Sequence, residues 1–401
     1  MSEWKKVKLG ECCTKIGSGS TPKGGSTVYI DTGTCLIRSQ NVYNLSFDYN
    51  GLTYITEDAA KKLNGVTILE DDVLLNITGD SVARTCIVPQ NVLPARVNQH
   101  VLIVRANKSI INPRYLNYYL ASPKMQAYML SLAVGKGASR NAMTKQMIEN
   151  FEVPCPPIET QHRIATILSR YDSLIENYQK QIKLLEESAQ RLYKDWFIDL
   201  HFPGHENTKI IDGVPEGWEK KPISQLGEYL NGFAFKPSDW QESGKPIIKI
   251  KEMGNGVSND TPRNNGERVP AKYLVKAGDL LFSWSATLMV IVWSGEEGWL
   301  NQHLFKVTPA KGIGREFLLQ SISNTIEEFQ NLTTGSTMKH IQRNKLDQVF
   351  VNAPNDEIMK LYSSIAEKER AEILYLSSQI CLLTEARDRL LPKLMNADVD
   401  V

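Results

Sequence analysis

The sequence predicts a mixed α+β and α/β fold, in which two similar domains in a pseudo-two-fold arrangement are joined by two long antiparallel coiled-coil helices. Three observations lead to this prediction. The tripeptide Asn-Gln-His occurs at 98–100 and again at 301–303, each time before an apolar, strand-like run. Matching segments flank both copies, and each copy closes with about 40 residues of heptad spacing. We place the two domains at 1–155 and 201–354, and the two helices at 156–200 and 355–398.

The strands of the first copy have counterparts in the second. The segments DDVLLNITGD (71–80) and GDLLFSWSAT (278–287) each predict an acidic turn, an apolar strand and a small polar stretch. The segments CLIRSQNV (35–42) and PIIKIKEM (246–253) each predict a strand with a basic residue inside it. Further corresponding segments are 4–19 with 218–233, the helical patterns 113–122 with 315–324, and 135–154 with 334–352.

The length of the repeat indicates a duplicated domain. It spans about 200 residues, whereas solenoid repeats are about 20 to 50 residues long. The two copies differ most in their middle parts, where surface loops are inserted between the matching strands. This pattern suggests one scaffold that is used twice for two different targets.

The two long helices are predicted from apolar positions that alternate at spacings of four and three residues. In the first helix these are Ile164, Leu168, Tyr171, Ile175, Tyr178, Ile182, Leu185, Ala189, Leu192 and Trp196. The same pattern returns 198 residues later, and two of its positions, Glu369 and Arg387, are charged breaks. The positions are Tyr362, Ala366, Glu369, Ile373, Leu376, Ile380, Leu383, Arg387, Leu390 and Leu394. Each helix should be about 60 Å long. We expect the two seams to pack on each other as an antiparallel pair, and Pro392 to end or kink the second helix.

Composition indicates a globular, cytoplasmic protein with two or three domains. No apolar run approaches the roughly 18 residues that span a bilayer, and the N-terminus lacks the apolar core of a signal peptide. The six cysteines form no CxxC pair, so we interpret them as reduced thiols. The net charge is +1, but residues 1–158 carry 17 Lys and Arg against 12 Asp and Glu. This mild basic excess is permissive for DNA binding and is weak support for it.

Motifs that resemble catalytic sites are incomplete. The tetrapeptide NPRY (112–115) lacks the second proline of an adenine methyltransferase loop, and GSGSTPKGG (17–25) lacks the Gly-Lys-Ser/Thr ending of a phosphate-binding loop. His201 and His205 have a spacing that a metal tolerates, but no further Cys or His lies nearby, so we interpret them as part of a linker turn. Asp239 and Glu242 are followed by a sequence that breaks the nuclease pattern.

The Asn-Gln-His copies themselves have two interpretations. No nucleophile stands at a fixed spacing from both His100 and His303, which argues against a catalytic base. We expect the three side chains to satisfy backbone groups at the mouth of a strand, with DNA contact as the alternative.

Two stretches resemble the specificity subunits of type I restriction-modification enzymes. These are FEVPCPPIETQHRIATIL (151–168) and, above all, WFIDLHFPGHENTKIIDGVPEGWE (196–219). Together with the repeat they extend the resemblance over nearly the whole chain. One departure is VNAPNDEIMKLYSSIA (351–366), which lacks the Pro-Pro and the following Gln of the first copy.

The resemblance implies two target-recognition domains, each of which reads a few base pairs of a split site in double-stranded DNA. It implies that the helices space the domains and dock two modification (methyltransferase) subunits. Those partners bind S-adenosylmethionine and methylate adenine, and motor-nuclease restriction subunits can join to cleave unmodified DNA. The chain itself is then expected to hold no cofactor or metal and to be non-catalytic.

Two alternatives stay open at this point. One is a specificity subunit of a fused restriction-methylation system (type IIB-like), which would have the same fold and a different partner. The other is a scaffold that binds proteins and not DNA.

The candidate DNA-binding residues are basic side chains for phosphates, and amides, arginines and small hydroxyl residues for base edges. In the first domain they are Thr21, Lys23, Arg38, Gln40, Asn41, Asn76, Thr78, Arg84, Lys136, Ser139 and Arg140. In the second domain they are Lys236, Lys249, Lys251, Ser283, Ser285, Lys339 and Arg343.

Overall fold

The computed structural model describes residues 4–134, 141–258, 260–332 and 343–399. The chain divides into two compact units, Met1–Glu176 with Leu383–Val401, and Asn177–Leu382. Each long helix therefore contributes one part to each unit. Because this division cuts the helices in their middle, it does not test the domain boundaries predicted at the helix ends, which stay a prediction.

The elements of the first unit alternate short strands with short helices. The strands are β1 (Lys6–Lys8), β2 (Cys13–Ser18), β3 (Tyr29–Ile30), β4 (Thr34–Ile37), β5 (Val42–Tyr43), β6 (Ser46–Phe47), β7 (Thr53–Ile55), β8 (Val73–Asn76), β9 (Thr85–Ile87), β10 (Ala95–Val97), β11 (Val101–Ala106) and β12 (Glu152–Pro154). The helices are α1 (Glu57–Lys62), α2 (Pro113–Ala121), α3 (Pro123–Ala133), α4 (Lys145–Glu149) and the first part of α5 (Ile158–Tyr193).

Two four-stranded sheets form the centre of the first unit. One sheet is antiparallel in the order β2-β11-β8-β9, and the other has the order β10-β4-β7-β3 with β10 parallel to β4. Residues of β11 alternate between two apolar clusters: Val101 and Ile103 face the second sheet, whereas Leu102 and Val104 face the helices. Since both faces are covered, β11 is apolar at successive positions, as expected for a strand buried on both sides.

The second unit repeats this arrangement. Its strands are β13 (Ile210–Ile211), β14 (Val214–Pro215), β15 (Glu219–Pro222), β16 (Gly227–Asn231), β17 (Lys245–Ile248), β18 (Arg263–Asn264), β19 (Leu274–Val275), β20 (Leu280–Ser283), β21 (Met289–Val292), β22 (Gly298–Leu300), β23 (Leu304–Pro309) and β24 (Phe350–Ala353). Its helices are α6 (Ile250–Asn255), α7 (Arg315–Asn324), α8 (Ile326–Asn331) and part of α9 (Asp356–Met395).

The strand order shows that the two units share an antiparallel sheet and a parallel strand pair, and that they differ at the edges of the second sheet. The antiparallel sheet β16-β23-β20-β21 corresponds strand by strand to β2-β11-β8-β9, and β17 pairs in parallel with β22 as β4 does with β10. The pair β15-β24 likewise corresponds to β1-β12. The predicted duplication is thus confirmed at the level of strand pairing.

The heptad seams of both helices are covered. No seam position from Ile164 to Trp196, or from Tyr362 to Leu394, is exposed. In the first unit Ile164 belongs to the same apolar cluster as Leu394. In the second unit the rings of Trp196 and Tyr362 lie 5.9 Å apart.

Within the second unit the helices run antiparallel. Ser188 Oγ of α5 donates to Glu369 Oε1 of α9 at 2.8 Å. Trp196, which follows Ser188 in the chain, packs against Tyr362, which precedes Glu369 in the chain. Beyond Tyr193 the first helix continues as a π-helical turn, Lys194–Ile198, which carries Trp196 into an aromatic cluster. Within this unit the seam residues of the two helices thus lie against each other in antiparallel order.

The charged break at Arg387 has a partner in the first unit. The Arg387 guanidinium donates to Asp172 Oδ1 at 2.7 Å, and the Tyr118 hydroxyl of α2 donates to the other oxygen of the same carboxylate. The side chains of Arg387 and Asp172 are only 13% and 20% exposed. The break therefore fixes both long helices to α2 of the first unit.

The second unit has an analogous connection between α7 and α9. Arg370 donates two hydrogen bonds to the Glu316 carboxylate, at 2.8 and 3.1 Å, and Arg315 forms an ion pair with Glu367. Burial raises the pKa of Glu316 above its ordinary value, although the Arg370 guanidinium opposes this. In each unit the helix that follows the antiparallel sheet is bonded to a long helix by charged groups.

Of the two predicted effects of Pro392, ending the second helix is wrong, and kinking it stays a prediction. Pro392 lies inside α9, which continues to Met395. A proline so close to a C-terminus removes few backbone hydrogen bonds, and Asn396 N–H still donates to Pro392 O at 3.0 Å. None of the helices in the described ranges combines the length and the apolarity that crossing a membrane requires.

Candidate functional site

The two Asn-Gln-His turns carry the chain from one sheet to the other. Residues 98–100 join β10 to β11, and residues 301–303 join β22 to β23. Asn98 Oδ1 accepts a hydrogen bond from the backbone N–H of His100 at 3.1 Å, and Asn301 Oδ1 accepts one from His303 at 3.3 Å. The expectation that the three side chains satisfy backbone groups is confirmed for the asparagines. It is wrong for Gln99 and His100, which bond to other side chains.

A glycine lies against each turn because no side chain fits there. A Cβ atom on Gly19 would stand 2.0 Å from Val97 O, and one on Gly232 would stand 2.1 Å from Asn301 O. The backbone N–H of Gly19 donates to Val101 O, and that of Gly232 to Leu304 O, both at 3.0 Å. The glycine-rich segment 17–25 thus contains a close-packed position.

In the first unit the turn begins a chain of polar side chains. Thr21 Oγ1 donates to Gln99 Oε1, and Gln99 Nε2 lies 3.2 Å from His100 Nε2. His100 Nδ1 lies 2.6 Å from Thr78 Oγ1. Two of the predicted residues, Thr21 and Thr78, are therefore linked through the Asn-Gln-His turn.

Thr78 opens onto a cavity of about 500 Å³ formed by three loops and the turn. The loops follow β4, β8 and α3. The cavity lining includes the predicted residues Gln40, Thr78 and Arg84, together with Tyr43 and Asp80. The Arg84 guanidinium lies 4.5 Å above the centre of the Tyr43 ring. Polar and cationic groups thus converge on one concave surface at the end of the antiparallel sheet.

Three further candidates of the first unit, Arg38, Thr21 and Lys23, lie in the loops after β4 and β2. Arg38 Nη2 donates to Gly51 O at 2.7 Å, and Gln40 Nε2 lies 3.4 Å from the same oxygen. These bonds hold the loop after β4. Thr21 and Lys23 are exposed in the loop after β2.

Asn41 and Asn76 are fully buried and serve the loop backbone. Asn41 Nδ2 donates to Asp48 O at 2.9 Å, and Asn76 Nδ2 donates to Ser39 O at 2.8 Å. Their side chains are not presented to the cavity surface, so the reading set proposed below leaves them out.

In the second unit the predicted cations lie around the loop after β17. The Lys249 ammonium lies 4.9 Å from the centre of the Trp240 ring, which is 49% exposed. Lys251 Nζ forms an ion pair with Asp260 at 2.5 Å, and this ammonium with the Ser258 hydroxyl lowers the pKa of Asp260 to about 2. Lys251 is thereby partly neutralised.

The other candidates of the second unit differ in exposure. Lys236 is exposed at the start of a short 3₁₀ turn. Ser283 and Ser285 are buried, and Ser283 Oγ donates to Thr287 O at 2.5 Å and accepts from Met289 N–H at 2.9 Å. As with Asn76, these serines belong to the scaffold of the loop.

Some predicted residues fall outside the described ranges. Lys136, Ser139, Arg140 and Lys339 all lie there. Arg343 begins the 3₁₀ turn Arg343–Asp347.

The motifs that had resembled catalytic sites have structural roles. Asn112 caps α2, since its Oδ1 accepts from the N–H groups of Arg114 and Tyr115 at 2.9 and 3.0 Å. His201 lies 3.1 Å from Asp195, and His205 Nδ1 lies 2.9 Å from Phe202 O. Within the described ranges no three His, Cys, Asp or Glu side chains are grouped to hold a metal ion.

Sequence reasoning missed Tyr43, Gln99 and Trp240. Tyr43 meets Arg84 only through the fold, 41 positions apart in sequence (84 − 43). Gln99 was visible inside the repeated tripeptide, and Trp240 was visible as an aromatic residue in a polar loop. For those two the signal was present in the sequence.

Comparisons with known proteins agree with this duplicated arrangement. The family model described as "Type I restriction modification DNA specificity domain" matches residues 1–187 and again 215–381. The chain is 25% identical to the type I restriction enzyme MjaIX specificity subunit of Methanocaldococcus jannaschii, covering 99% of this chain and 93% of that protein. It is 22% identical to the HindI specificity subunit of Haemophilus influenzae, with 100% of both chains covered.

A solved structure shows the same fold. The type I restriction-modification system S subunit from M. genitalium is 13% identical, with a TM-score of 0.55 over 98% of this chain and 96% of that one.

Proposed function

The chain belongs to the type I restriction-modification DNA specificity family, and from this premise we propose that it is the subunit that selects the DNA sequence for a restriction-modification complex. The two family matches cover both copies of the repeat, 1–187 and 215–381. The two relatives named above are specificity subunits, and this chain covers nearly their whole length.

The observation that carries the proposal is the antiparallel sheet and the parallel strand pair that the two units share, with polar side chains in the loops beside these strands. In the first unit these loops present Thr78 and Arg84, and in the second they present Lys249 and Trp240. Two units with matching strands but different loop side chains suit two DNA half-sites of different sequence. Cations supply affinity through phosphates, and side-chain donors and acceptors supply specificity on base edges.

Within this proposal the reading set is narrower than the sequence suggested. It comprises the exposed or half-buried candidates Thr21, Lys23, Arg38, Gln40, Thr78, Arg84, Lys236, Lys249 and Lys251. Lys136, Ser139, Arg140, Lys339 and Arg343 remain candidates on the basis of sequence alone. The domains that carry these residues are proposed to be 1–155 and 201–354.

The long helices are proposed to pack as an antiparallel coiled coil that relates the domains by a pseudo-two-fold axis, spaces them and docks two modification subunits. The covered seams and the antiparallel contacts within the second unit support the helix pairing. The chain is proposed to be non-catalytic and cofactor-free, with S-adenosylmethionine bound by the modification subunits and cleavage performed by motor-nuclease subunits. Its cytoplasmic location stays a prediction from composition.

An exchange of one domain tests whether each domain determines the sequence of one half-site. Replacing residues 1–155 by the matching domain of a relative should change one half of the methylated motif and preserve the other half. The measurement is single-molecule sequencing of methylated adenines in a host that expresses the hybrid with its modification subunit. A change in both halves, or in neither, would contradict the proposal, and the unexchanged chain in the same host is the control.

A further inference from the structure

We propose that the cavity of the first unit recognises a guanine in a G·C base pair, with Arg84 as the specificity-determining side chain and the Thr78 hydroxyl beside it. This inference rests on the proposed function and names the base that one half-site must contain.

Arg84 is held as a rigid donor group. Its guanidinium lies 4.5 Å over the Tyr43 ring, an arrangement that fixes the plane and leaves the N–H groups at its edge for a ligand. The backbone is fixed on both sides, because Arg84 N–H donates to Ser81 O at 3.2 Å and Arg84 O accepts from Asn76 N–H at 2.8 Å. The preceding residue, Ala83, is buried with φ of 74°, a left-handed conformation that directs the loop.

The polar chain behind the cavity makes Thr78 a donor as well. An amide nitrogen can only donate, so Gln99 Nε2 requires His100 Nε2 to accept, and the imidazole proton is then on Nδ1. Nδ1–H donates to Thr78 Oγ1 at 2.6 Å. The hydroxyl hydrogen of Thr78 is therefore not used on the ring and is free to donate to another group, and Thr78 lines the cavity.

The N–H groups of Arg84 match the guanine edge, and Thr78 lines the same cavity. In the major groove guanine offers two adjacent acceptors, N7 and O6, and a bidentate arginine is the commonest contact to them. Adenine places an amino donor beside N7, and cytosine offers an amino donor, so both would oppose this donor set. Asp80, exposed on the same cavity wall, is an acceptor of the kind that suits the amino group of the paired cytosine.

The test is an Arg84→Lys variant, which keeps the charge and removes the bidentate fork. The full chain is expressed with its modification subunit, and methylated adenines are mapped by single-molecule sequencing. We expect one G·C position in the half-site of the first domain to become degenerate, with a loss of discrimination of about 10- to 100-fold. Thr78→Val should relax the same position or its neighbour, and Thr78→Ser should restore it. Arg114→Lys, an exposed arginine on α2 outside the cavity lining, is the matched control.

Binding of the purified complex to four duplexes, one for each base pair at that position, completes the test. The inference is overturned if Arg84→Lys leaves the motif unchanged, relaxes an A·T position, or weakens all four duplexes equally, since the last result would mark a phosphate contact. If the unaltered chain gives no bipartite motif, the proposed function itself fails, and this inference fails with it.

Discussion

Gly19 and Gly232 are positions where a single methyl group would collide with backbone atoms. The neighbouring oxygen atoms are Val97 O, at the end of β10, and Asn301 O, in the second Asn-Gln-His turn. The two turns are themselves bonded to β4 and β17, respectively. Because both partners are main chain, neither can move without breaking sheet hydrogen bonds. The glycine and the turn therefore form one packing unit in each copy.

The first prediction concerns Gly19→Ala. We expect it to destabilise the protein by about 1–3 kcal/mol, the usual cost of overpacking, because the added Cβ would lie 2.0 Å from Val97 O. The measurement is the urea midpoint of the purified chain. Gly17→Ala, two residues earlier in β2, meets no atom within 4 Å and should leave the midpoint nearly unchanged. Equal effects at the two positions would show that Gly19 is not a packing position.

For single residues, the sequence predicted candidate residue types better than it predicted which side chains they contact. Lys249 and Arg84 were predicted as binding residues, but their aromatic neighbours Trp240 and Tyr43 were not, because those contacts depend on loops that meet only in the folded chain. Asn76 and Ser283 were predicted as readers since their residue types suit base edges, yet both side chains are buried against backbone groups. Burial of a polar residue in a loop depends on the path of the whole loop, which no local pattern reveals.

Among the elements, the long helices were predicted with the greatest success. Their periodicity requires only neighbouring residues in one chain segment, and every seam position is covered. Strand pairing was less accessible, because the parallel pairing of β4 with β10 joins segments about 60 residues apart. The charged breaks in the second seam were visible, but their partners were not.

The second prediction concerns one of those breaks. Arg387→Ala should lower stability by about 1–3 kcal/mol, because Asp172 keeps only the Tyr118 hydroxyl as a partner in a site that is 20% exposed. Arg389→Ala, two residues further along α9, removes an arginine that is 77% exposed and pairs with Glu385. Its effect should lie within about 0.5 kcal/mol.

A double-mutant cycle gives the decisive measurement for that pair. In the Asp172→Ala background, Arg387→Ala should cost much less than it does alone, since the carboxylate is already absent. If the two losses add without coupling, the ion pair does not fix the helices to α2.

For the whole molecule, the repeat was predictable and the division into units was not. Duplication shows as matching segments, whereas the assignment of Leu383–Val401 to the unit that contains the N-terminal residues depends on packing between distant parts of the chain. The pattern of the last helix alone gives no sign that its end belongs with the first domain.

The third prediction tests whether the helices set the spacing of the half-sites. Deleting one heptad from α5, residues 175–181, preserves the seam pattern and shortens the helix by about 10 Å. Both the Asp172–Arg387 and the Ser188–Glu369 contacts survive in register only if α9 loses a heptad as well, at residues 373–379. The paired deletion should therefore shorten the nonspecific gap in the methylated motif while both half-site sequences persist.

The single deletion is the control, and it should reduce methylation of the original site because the contacts fall out of register. DNA bending can compensate for part of the change at a cost of a few kcal/mol. An unchanged gap at unchanged efficiency in the paired deletion would mean that the helices do not act as a ruler.

The first unit is discontinuous in sequence, and this affects how the protein is made. Its apolar core includes Leu391, Leu394 and Met395 together with Ile164 and Leu168. A ribosome must therefore release residues 391–395 before the first unit can complete its core, whereas the second unit, Asn177–Leu382, is complete earlier. A premature stop codon after residue 382 would leave the later-made unit whole and the earlier-made unit with an uncovered apolar face. In such incomplete copies, the unit that was synthesised first would be the one exposed to proteases.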